Sequence, residues 1–380
     1  MPYITVNVEP RTYQLTFDDI LNGCSESDFM PAKDTRDTRT WLTNNINPNL
    51  IEKTNFRGMY ETLAAFNEKY ADLINTEDKS VLYRSFKIPK RSGGLRKIDA
   101  PQDELMKALR ELKEILEKRF FASYHTTAFA YVHGRSTIDS VKRHQTNNSR
   151  WFLKLDAQGF FPSTTEKFLM DMLCELYPFC IFVNYDYGYR EALEKALSLC
   201  FLNGGLPQGT PTSPMLTNMM MIPIDHAIAK MCREYSPHLC YTRYADDMLI
   251  SSQFSFHWTD VQNKITDIFN QFSAPFTLNA EKTRYGSSAG RNWNLGVMLN
   301  KENKITIGHE KKKVFKAMIF QFMTDDAKGV AWELEDVQHF LGLVAYYKMV
   351  EGEEIDKIIN AYSAKFNKDV LATAKALLNP

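Results

Sequence analysis

Two adjacent carboxylates, Asp246 and Asp247, are the side chains of this chain with the clearest chemical potential. The segments 240–244 and 248–251 on either side are rich in β-forming residues, so the pattern predicts a β-hairpin with the aspartates at its turn. Two neighbouring anions need a compensating cation, and their hard oxygen ligands suit Mg²⁺. An isolated Asp-Asp pair is more often a plain surface turn, so the pair alone does not predict a metal site.

A third carboxylate, Asp156, follows the apolar segment 151–155 and precedes Gly159 and two phenylalanines. This pattern predicts a buried strand that delivers one carboxylate at its C-terminal end. Beside the predicted hairpin, the three carboxylates can hold two Mg²⁺ ions about 4 Å apart, an arrangement that clamps the attacking and leaving oxygens in phosphoryl transfer. Taken alone, Asp156 is explained equally well as a turn or cap residue at a strand end.

A loop rich in glycine and proline, residues 204–214, lies between these acidic segments. Its small residues allow the backbone to approach a ligand closely, and the sequence after it predicts a long helix through Ile224, Ile228 and Met231. A loop of this composition usually serves only as a turn. Its place between the two acidic segments favours a role in the same site.

The ordered set of these motifs resembles the palm motifs of reverse transcriptases. The motifs are Leu155-Asp156 with Phe160-Phe161, the segment 207–214 and Tyr244-Ala245-Asp246-Asp247, supported by segments 88–101 and 278–283. The resemblance covers roughly residues 80–350. More narrowly, the motifs resemble those of the bacterial group that contains retron, group II intron and phage-defence enzymes. It implies an α+β right-hand polymerase with fingers, a palm of antiparallel sheet and flanking helices, and a small helical thumb.

The resemblance also implies an activity, that of an RNA-directed DNA polymerase that adds dNTPs to a primer by two-metal-ion phosphoryl transfer. It makes Asp156 and Asp246 the direct ligands of two Mg²⁺ ions, which Mn²⁺ can replace, with Asp247 as a supporting carboxylate. The chemistry agrees, because one metal lowers the pKa of a primer hydroxyl and the other neutralises the triphosphate.

Nucleotide binding is implied for five further residues: Lys90, Arg96, Phe161, Gln208 and Lys282. Lys90 and Arg96 lie on either side of a Gly-Gly turn and fit a fingers hairpin that covers the triphosphate. Lys87 or Arg91 could contact the triphosphate in place of Lys90. The resemblance places an aromatic ring under the sugar at Phe161, where it would exclude a 2′-hydroxyl, and puts Gln208 beside the incoming nucleotide. Lys282 matches a lysine that assists the departing pyrophosphate, but a surface lysine at a strand end is an equal alternative. Primer and template contacts are implied for Tyr244 and Gly296.

The subtype is left open by two departures from the retron pattern. Retron enzymes show an Asn-Ala-x-x-His element, of which Ser140–His144 keeps only the histidine, and a Val-Thr-Gly element where this chain has Leu295-Gly296-Val297. A retron-like or phage-defence enzyme is therefore the first hypothesis. The alternatives are a group II intron-like or CRISPR-associated reverse transcriptase and a non-synthesising RNA-binding scaffold. An RNA-dependent RNA polymerase is opposed by Phe161.

Three regions follow from the motif positions: an N-terminal helical extension (1–80), fingers and palm (81–300) and a helical thumb (301–380). The chain carries 46 basic and 46 acidic residues, so its formal net charge is zero. The charges are unevenly distributed along the chain. Residues 82–119 hold 11 basic against 6 acidic residues, and residues 301–316 hold six lysines against two glutamates. These basic segments can bind a template–primer duplex through its phosphates.

The expected partners are an RNA template, a DNA or RNA primer and dNTPs, with a dedicated non-coding RNA or an accessory defence protein as further candidates. Six cysteines without metal-ligand spacing predict reduced, mostly buried thiols. No long apolar run or signal peptide is found, so we expect a cytoplasmic protein without membrane association.

Overall fold

The computed structural model describes residues 3–8, 11–16, 48–89, 94–236, 238–287 and 296–378. The strands in these ranges are β1 (Tyr3–Val8), β2 (Arg11–Thr16), β3 (Tyr83–Pro89), β4 (Leu95–Pro101), β5 (Trp151–Gln158), β6 (Cys240–Tyr244), β7 (Asp247–Ser252), β8 (Thr277–Leu278), β9 (Arg284–Ser287), β10 (Met298–Leu299) and β11 (Ile305–Thr306).

The helices in the same ranges are α1 (Pro48–Lys53), α2 (Phe56–Lys69), α3 (Ala71–Asn75), α4 (Asp103–Lys118), α5 (Thr137–Thr146), α6 (Glu166–Leu173), α7 (Phe179–Tyr185), α8 (Tyr187–Ser198), α9 (Ser213–Met220), α10 (Ile222–Tyr235), α11 (Trp258–Gln271), α12 (His309–Ala327), α13 (Leu334–Phe366) and α14 (Val370–Ala376). The chain divides into two compact units. The first comprises Met1–Arg135, Leu153–Ile250 and His257–Arg284, and the second comprises Ser136–Phe152, Ser251–Phe256 and Tyr285–Pro380.

The largest sheet has the strand order β6-β7-β5-β8, with β9 also paired to β5. β6 and β7 form the hairpin predicted around Asp246, and β8 runs antiparallel to β5 with Leu278 opposite Ala157. β5 continues two residues beyond Asp156, and most of its side chains are buried. The predicted α+β class with an antiparallel sheet is therefore confirmed.

A separate two-stranded sheet pairs β3 with β4 in antiparallel register, from Tyr83 opposite Pro101 to Pro89 opposite Leu95. The chain then enters α4, whose apolar residues recur every three or four positions and form one buried stripe: Leu105, Ala108, Leu109, Leu112, Ile115 and Leu116. Asp103 and Glu104 lie in its first turn and Lys118 in its last, which suits the helix dipole. The same apolar spacing over residues 105–121 predicts an amphipathic helix there from the sequence alone.

Three local expectations differ from the structure. The Asn- and Pro-rich segment 45–53 predicts a loop from its turn-forming residues, but α1 occupies residues 48–53. The long helix predicted after the glycine-rich loop is two helices, because Pro223 lacks an amide hydrogen and occupies the first turn of α10, so α9 ends just before it. Within the predicted helical extension, α1–α3 are helical, whereas β1 (Tyr3–Val8) pairs with β2 (Arg11–Thr16) in antiparallel register.

The described cysteines form no disulfide bond, and four of the five are buried: Cys174, Cys180, Cys200 and Cys232. Burial raises the pKa of Cys180 and of Cys200 to about 12, so both thiols stay protonated and unreactive at neutral pH. The expectation of reduced, mostly buried cysteines is confirmed for this part of the chain. No helix of the described ranges is long and apolar enough to cross a bilayer.

The core of the second unit lies between α12, α13 and α14. Phe340 stacks on Phe315 and Phe322, with ring centroids 6.1 and 5.4 Å apart. Ile355, Ile359 and other aliphatic side chains of α13 complete the cluster. The sequence of this region predicts helices at 310–323, 338–347 and 355–378, and the structure is helical there. The last of these segments is divided near Asn367, where the backbone turns left-handed.

Glu351 interrupts α13 with non-helical backbone angles (φ −150°, ψ 53°). Its carboxylate accepts hydrogen bonds from the Thr306 hydroxyl at 2.8 Å and the Ile307 amide at 3.2 Å, and it pairs with the Lys312 ammonium. One carboxylate therefore joins the kink of α13 to β11 and to the first turn of α12.

Replacing Glu351 by alanine is expected to lower the free energy of unfolding by about 2–3 kcal/mol, because it leaves the Ile307 amide and the Lys312 ammonium unsatisfied. Urea titration followed by circular dichroism measures this loss. The matched control is Glu353→Ala, which removes an exposed carboxylate of the same helix. Equal unfolding midpoints for the two variants would contradict the assignment.

His144, the histidine retained from the Asn-Ala-x-x-His element, is fully buried in the second unit. Its Nδ1 lies 2.6 Å from the Ser251 hydroxyl, which lies 2.6 Å from the Ser149 hydroxyl. Burial, with a smaller contribution from Arg143, lowers the pKa of His144 to about 3 from an ordinary value of 6.5. The folded protein therefore holds this imidazole neutral, whereas the unfolded chain protonates it below pH 6.5.

We expect the free energy of unfolding to decrease as the pH is lowered from about 6.5 to 3. Over this range the unfolded state binds one more proton than the folded state. The contribution of His144 is fully present above pH 6.5, and each pH unit below it removes about 1.4 kcal/mol. His144→Gln should flatten the pH dependence of the free energy of unfolding by that slope. The control, His133→Gln, removes an exposed imidazole. Parallel pH curves for His144→Gln and the parent would refute the prediction.

Candidate active site

The β6–β7 hairpin turns through Ala245 and Asp246. Ala245 has a left-handed backbone (φ 58°), which is uncommon for a residue with a Cβ atom. The Asp246 carbonyl oxygen accepts a hydrogen bond of 3.0 Å from the Ala157 amide in β5. Because Ala157 directly follows Asp156, this bond brings the two aspartates side by side at the same end of the sheet.

Asp156 is 5% exposed, and the Lys282 ammonium lies 2.9 and 3.1 Å from its two carboxylate oxygens. The hydrogen bond to Asp156 is the main reason that the pKa of Lys282 is raised, despite the opposing effect of burial. The lysine side chain is 60% exposed, so it reaches this buried carboxylate from the solvent side.

The Asp246 carboxyl has a raised pKa. Burial is the largest cause, followed by the negative charges of Asp247 and Asp156, while Lys282 opposes them. Asp247 is paired instead with Lys154, whose Nζ lies 2.9 Å from its Oδ2. Across the described parts of the chain, no group of three or more His, Cys, Asp or Glu side chains is arranged to hold a metal ion. Asp247 thus has a cationic partner of its own, whereas Asp156 and Asp246 both line the same cleft.

The two aspartates open into a cleft of about 460 Å³ in the first unit. Five residues singled out from the sequence line it: Asp156, Phe161, Gln208, Asp246 and Lys282. Lys97, Asp99 and Asn279 add polar groups to its walls. Residues as distant in the sequence as Lys97 and Lys282 therefore meet in one concave surface.

Phe161 is half-buried in the wall of this cleft, directly after the fully packed Phe160. The two rings meet edge to face with centroids 5.5 Å apart, and Phe160 packs in turn on Phe276 at 5.3 Å. Phe160 therefore belongs to the core, and Phe161 packs on it at the cleft wall.

The glycine-rich loop packs against the loop that follows β5. A Cβ atom on Gly205 would lie 2.0 Å from the Pro162 carbonyl oxygen, so only glycine fits there. The close approach predicted from these glycines is thus made, at Gly205, to the protein's own backbone. The Gln208 carbonyl accepts a hydrogen bond of 3.1 Å from the Asp99 amide in β4, which holds Gln208 at the cleft.

The remaining candidate residues lie elsewhere or outside the described residues. Lys90 is outside them, and for Arg96 only the backbone is described, paired with Ile88 in the β3–β4 sheet. Tyr244 ends β6 and is half-buried. Gly296, in the second unit, has a left-handed backbone (φ 97°), and its carbonyl accepts a hydrogen bond of 2.8 Å from Lys311.

Two features near the hairpin are not found by sequence reasoning. One is Lys154, whose place two residues before Asp156 puts it on the same face of β5. The other is a fully buried ion pair between Asp225 and Arg243. Charged residues in a helix and a strand are normally assigned to the surface, so composition offers no signal for this pair.

A comparison with protein-family models matches residues 88–323 to the reverse transcriptase (RNA-dependent DNA polymerase) family. The chain belongs to this family. The matched range contains the whole cleft, and the resemblance stated from the motifs is confirmed. RNA-directed DNA synthesis is the activity of the family, and it implies binding of an RNA template.

The curated relatives of this reverse transcriptase include retron enzymes of bacteria. The Retron Ec83 reverse transcriptase of Escherichia coli is 29% identical over 312 residues, covering 79% of this chain and 93% of the relative. The Retron Mx65 reverse transcriptase of Myxococcus xanthus is 30% identical over 288 residues, covering 73% of this chain and 63% of the relative. The predicted similarity to retron-type enzymes is therefore confirmed.

Among solved structures, an apo telomerase from Candida tropicalis aligns with a TM-score of 0.42 and 12% identity. The alignment covers 65% of this chain and 59% of that chain.

Proposed function

We propose that this protein is a retron-like reverse transcriptase that synthesises DNA on an RNA template by two-metal-ion phosphoryl transfer. The observation that carries the proposal is the cleft in which Asp156, Asp246, Phe161, Gln208 and Lys282 meet. Nucleotidyl transfer needs carboxylates for metal ions, a cation for the leaving group and a surface for the sugar. This one cleft supplies all three.

The acidic residues fit a divalent cation. Asp156 and Asp246 are neighbouring carboxylates, and burial together with the charges of Asp247 and Asp156 raises the pKa of Asp246. Oxygen ligands with room for water and phosphate are what Mg²⁺ requires. In this proposal Asp156 and Asp246 hold the metal ions and Asp247 supports them. Bound Mg²⁺ supplies activation of the primer hydroxyl and neutralisation of phosphate charge.

The other cleft residues position and neutralise the nucleotide. Phe161 presents its ring to the sugar from the cleft wall, where a 2′-hydroxyl would clash with it. Gln208 faces the same cleft and can bond the nucleotide through its side-chain amide. Lys282 carries a raised pKa, so at neutral pH it remains an ammonium group that can donate to the departing pyrophosphate.

The proposal also assigns a role to each region of the chain. Residues 81–300 act as fingers and palm, with Lys90 and Arg96 above the triphosphate and Tyr244 and Gly296 near the primer and template. Residues 301–380 act as the thumb, where exposed lysines of α12, including Lys313, can contact phosphates. Residues 1–80 are an N-terminal extension.

A dedicated non-coding RNA is the proposed partner, because curated relatives that span most of the chain are retron reverse transcriptases. A role in defence against phage is proposed on the same ground. RNA that co-purifies with the expressed protein should then be one defined species that carries covalently or non-covalently associated cDNA. A random sample of cellular RNA would argue instead for an enzyme without a dedicated template.

Primer extension tests the activity directly. A labelled DNA primer is annealed to an RNA template or to a DNA template of the same sequence, and dNTPs or NTPs are supplied with Mg²⁺ or with EDTA. We expect extension on RNA with dNTPs, and none in EDTA. Preference for NTPs would indicate an RNA polymerase, and absence of extension under every condition would favour a binding scaffold.

A further inference from the structure

We propose that Arg243, held by Asp225, is a positioning residue that fixes the backbone of the turn carrying Asp246. This inference rests on the proposed role of Asp246 as a metal ligand. It assigns a function to a buried ion pair that touches neither substrate nor metal.

The ion pair is sealed inside the first unit, with Arg243 1% and Asp225 0% exposed. Arg243 Nε donates to both oxygens of Asp225 at 2.9 and 3.1 Å, and Nη2 donates to Oδ2 at 2.7 Å. The Tyr241 hydroxyl donates to Asp225 Oδ1 at 2.8 Å. The carboxylate thus receives four hydrogen bonds, so the guanidinium is fixed in its plane.

The third nitrogen of the guanidinium extends to the catalytic hairpin. Arg243 Nη1 donates to the Ala245 carbonyl oxygen at 3.0 Å. That carbonyl belongs to the peptide that links Ala245 to Asp246. Ala245 has an unfavourable left-handed backbone, so the turn needs an external contact to keep this conformation.

The peptide on the other side of Asp246 is held as well, because its carbonyl accepts the hydrogen bond from the Ala157 amide. Both peptides that flank Asp246 are therefore bonded to fixed partners. Arg243 itself is anchored through its backbone, since its amide donates to the Thr127 carbonyl at 2.7 Å and its carbonyl accepts from the Phe129 amide at 2.9 Å. Only side-chain rotation remains for the Asp246 carboxylate.

The chemistry of the guanidinium explains why the position is arginine. Its planar fork directs donors at the carboxylate and at the Ala245 carbonyl at once, whereas one ammonium group cannot span both. A buried ion pair generally contributes little to stability compared with apolar residues of similar size. In this protein the ion pair instead restricts the turn that carries Asp246 to a single conformation.

The test compares Arg243→Lys with the matched variant Tyr241→Phe. Lysine keeps the charge opposite Asp225 but loses the bond to Ala245, whereas Tyr241→Phe removes one bond to Asp225 and leaves the Ala245 contact intact. Steady-state kinetics of dNTP addition to a DNA primer on an RNA template are measured across Mg²⁺ concentrations. All proteins are assayed well below the lowest unfolding midpoint.

For Arg243→Lys we expect kcat to fall about 10- to 100-fold, as misplacement of a reacting group by about 1 Å does. The Mg²⁺ concentration for half-maximal rate should rise, and KM for dNTP should change little. Tyr241→Phe should keep the parent kcat and Mg²⁺ requirement. If Arg243→Lys does not fold, the double variant Asp225→Asn/Arg243→Gln, which replaces the buried charges by neutral amides, takes its place.

Equal kinetics for Arg243→Lys and Tyr241→Phe, with only their unfolding midpoints lowered, would overturn the positioning role. The proposed role of Asp246 as a metal ligand, on which this inference rests, is tested separately by Asp246→Asn. If that variant keeps full activity, the assignment of Asp246 itself fails. If it is inactive while Arg243→Lys is normal, only the positioning inference fails.

Discussion

Replacing Asp246 by asparagine is expected to lower the rate of nucleotide addition by about 10³-fold or more. The carboxylate is proposed to hold Mg²⁺, and metal ions contribute several kcal/mol of charge stabilisation in such transition states. Asparagine preserves the size of the side chain and removes its charge, so the loss reports the charge itself. Single-nucleotide extension on an RNA template under rapid-quench conditions measures it, and a rate within tenfold of the parent would remove Asp246 from the site.

The same substitution should raise the thermal unfolding midpoint of the protein in EDTA. Asp246 is largely buried near Asp247 and Asp156, and without a metal these like charges oppose folding. The exposed Asp267 of α11 provides the matched control, and Asp267→Asn should change neither activity nor midpoint. Loss of both activity and stability in Asp246→Asn would show that the carboxylate serves the fold instead.

Replacing Phe161 by alanine is expected to relax the preference for dNTPs over NTPs by about 10- to 100-fold, the range that steric contacts in a pocket provide. The half-buried ring stands in the cleft wall, and its removal opens space for a 2′-hydroxyl. The ratio of kcat/KM for dCTP and CTP on one template measures the change. An unaltered ratio would mean that another residue discriminates the sugar.

Phe160→Leu is the control for this experiment. Phe160 is 3% exposed and packs against Phe276, so its loss should affect stability by about 1 kcal/mol and leave sugar selection unchanged. A selectivity change in Phe160→Leu as large as that in Phe161→Ala would indicate that the ring acts only through general packing.

The sequence predicts the parts of the site that have local signatures. The hairpin around Asp246 follows from its β-forming flanks, and the strand before Asp156 follows from its apolar run. The meeting of Gln208 and Lys282 with these aspartates comes only from the order of known motifs. Periodicity also predicts the helices of the second unit, because each has one buried apolar stripe.

Features that depend on long-range pairing leave no local signature. Asp225 lies in the first turn of α10 and Arg243 in β6, and nothing in either segment specifies that they are buried together. The kink at Glu351 likewise involves contacts with residues that are distant in sequence. Tertiary contacts therefore decide these details, whereas the helix boundary at Pro223 has a local cause in the missing amide hydrogen of proline.

If Asp156 is a metal ligand as proposed, its contact with Lys282 would make metal loading an exchange reaction. The oxygens proposed to receive Mg²⁺ already bind the Lys282 ammonium, so the cation would displace a side chain of the protein as well as water. An ion pair with a 60% exposed partner is weak, about 0–1 kcal/mol, so this displacement would cost little. The lysine would therefore limit the repulsion between the carboxylates in the idle enzyme and would leave Asp156, still charged, once a metal ion is bound.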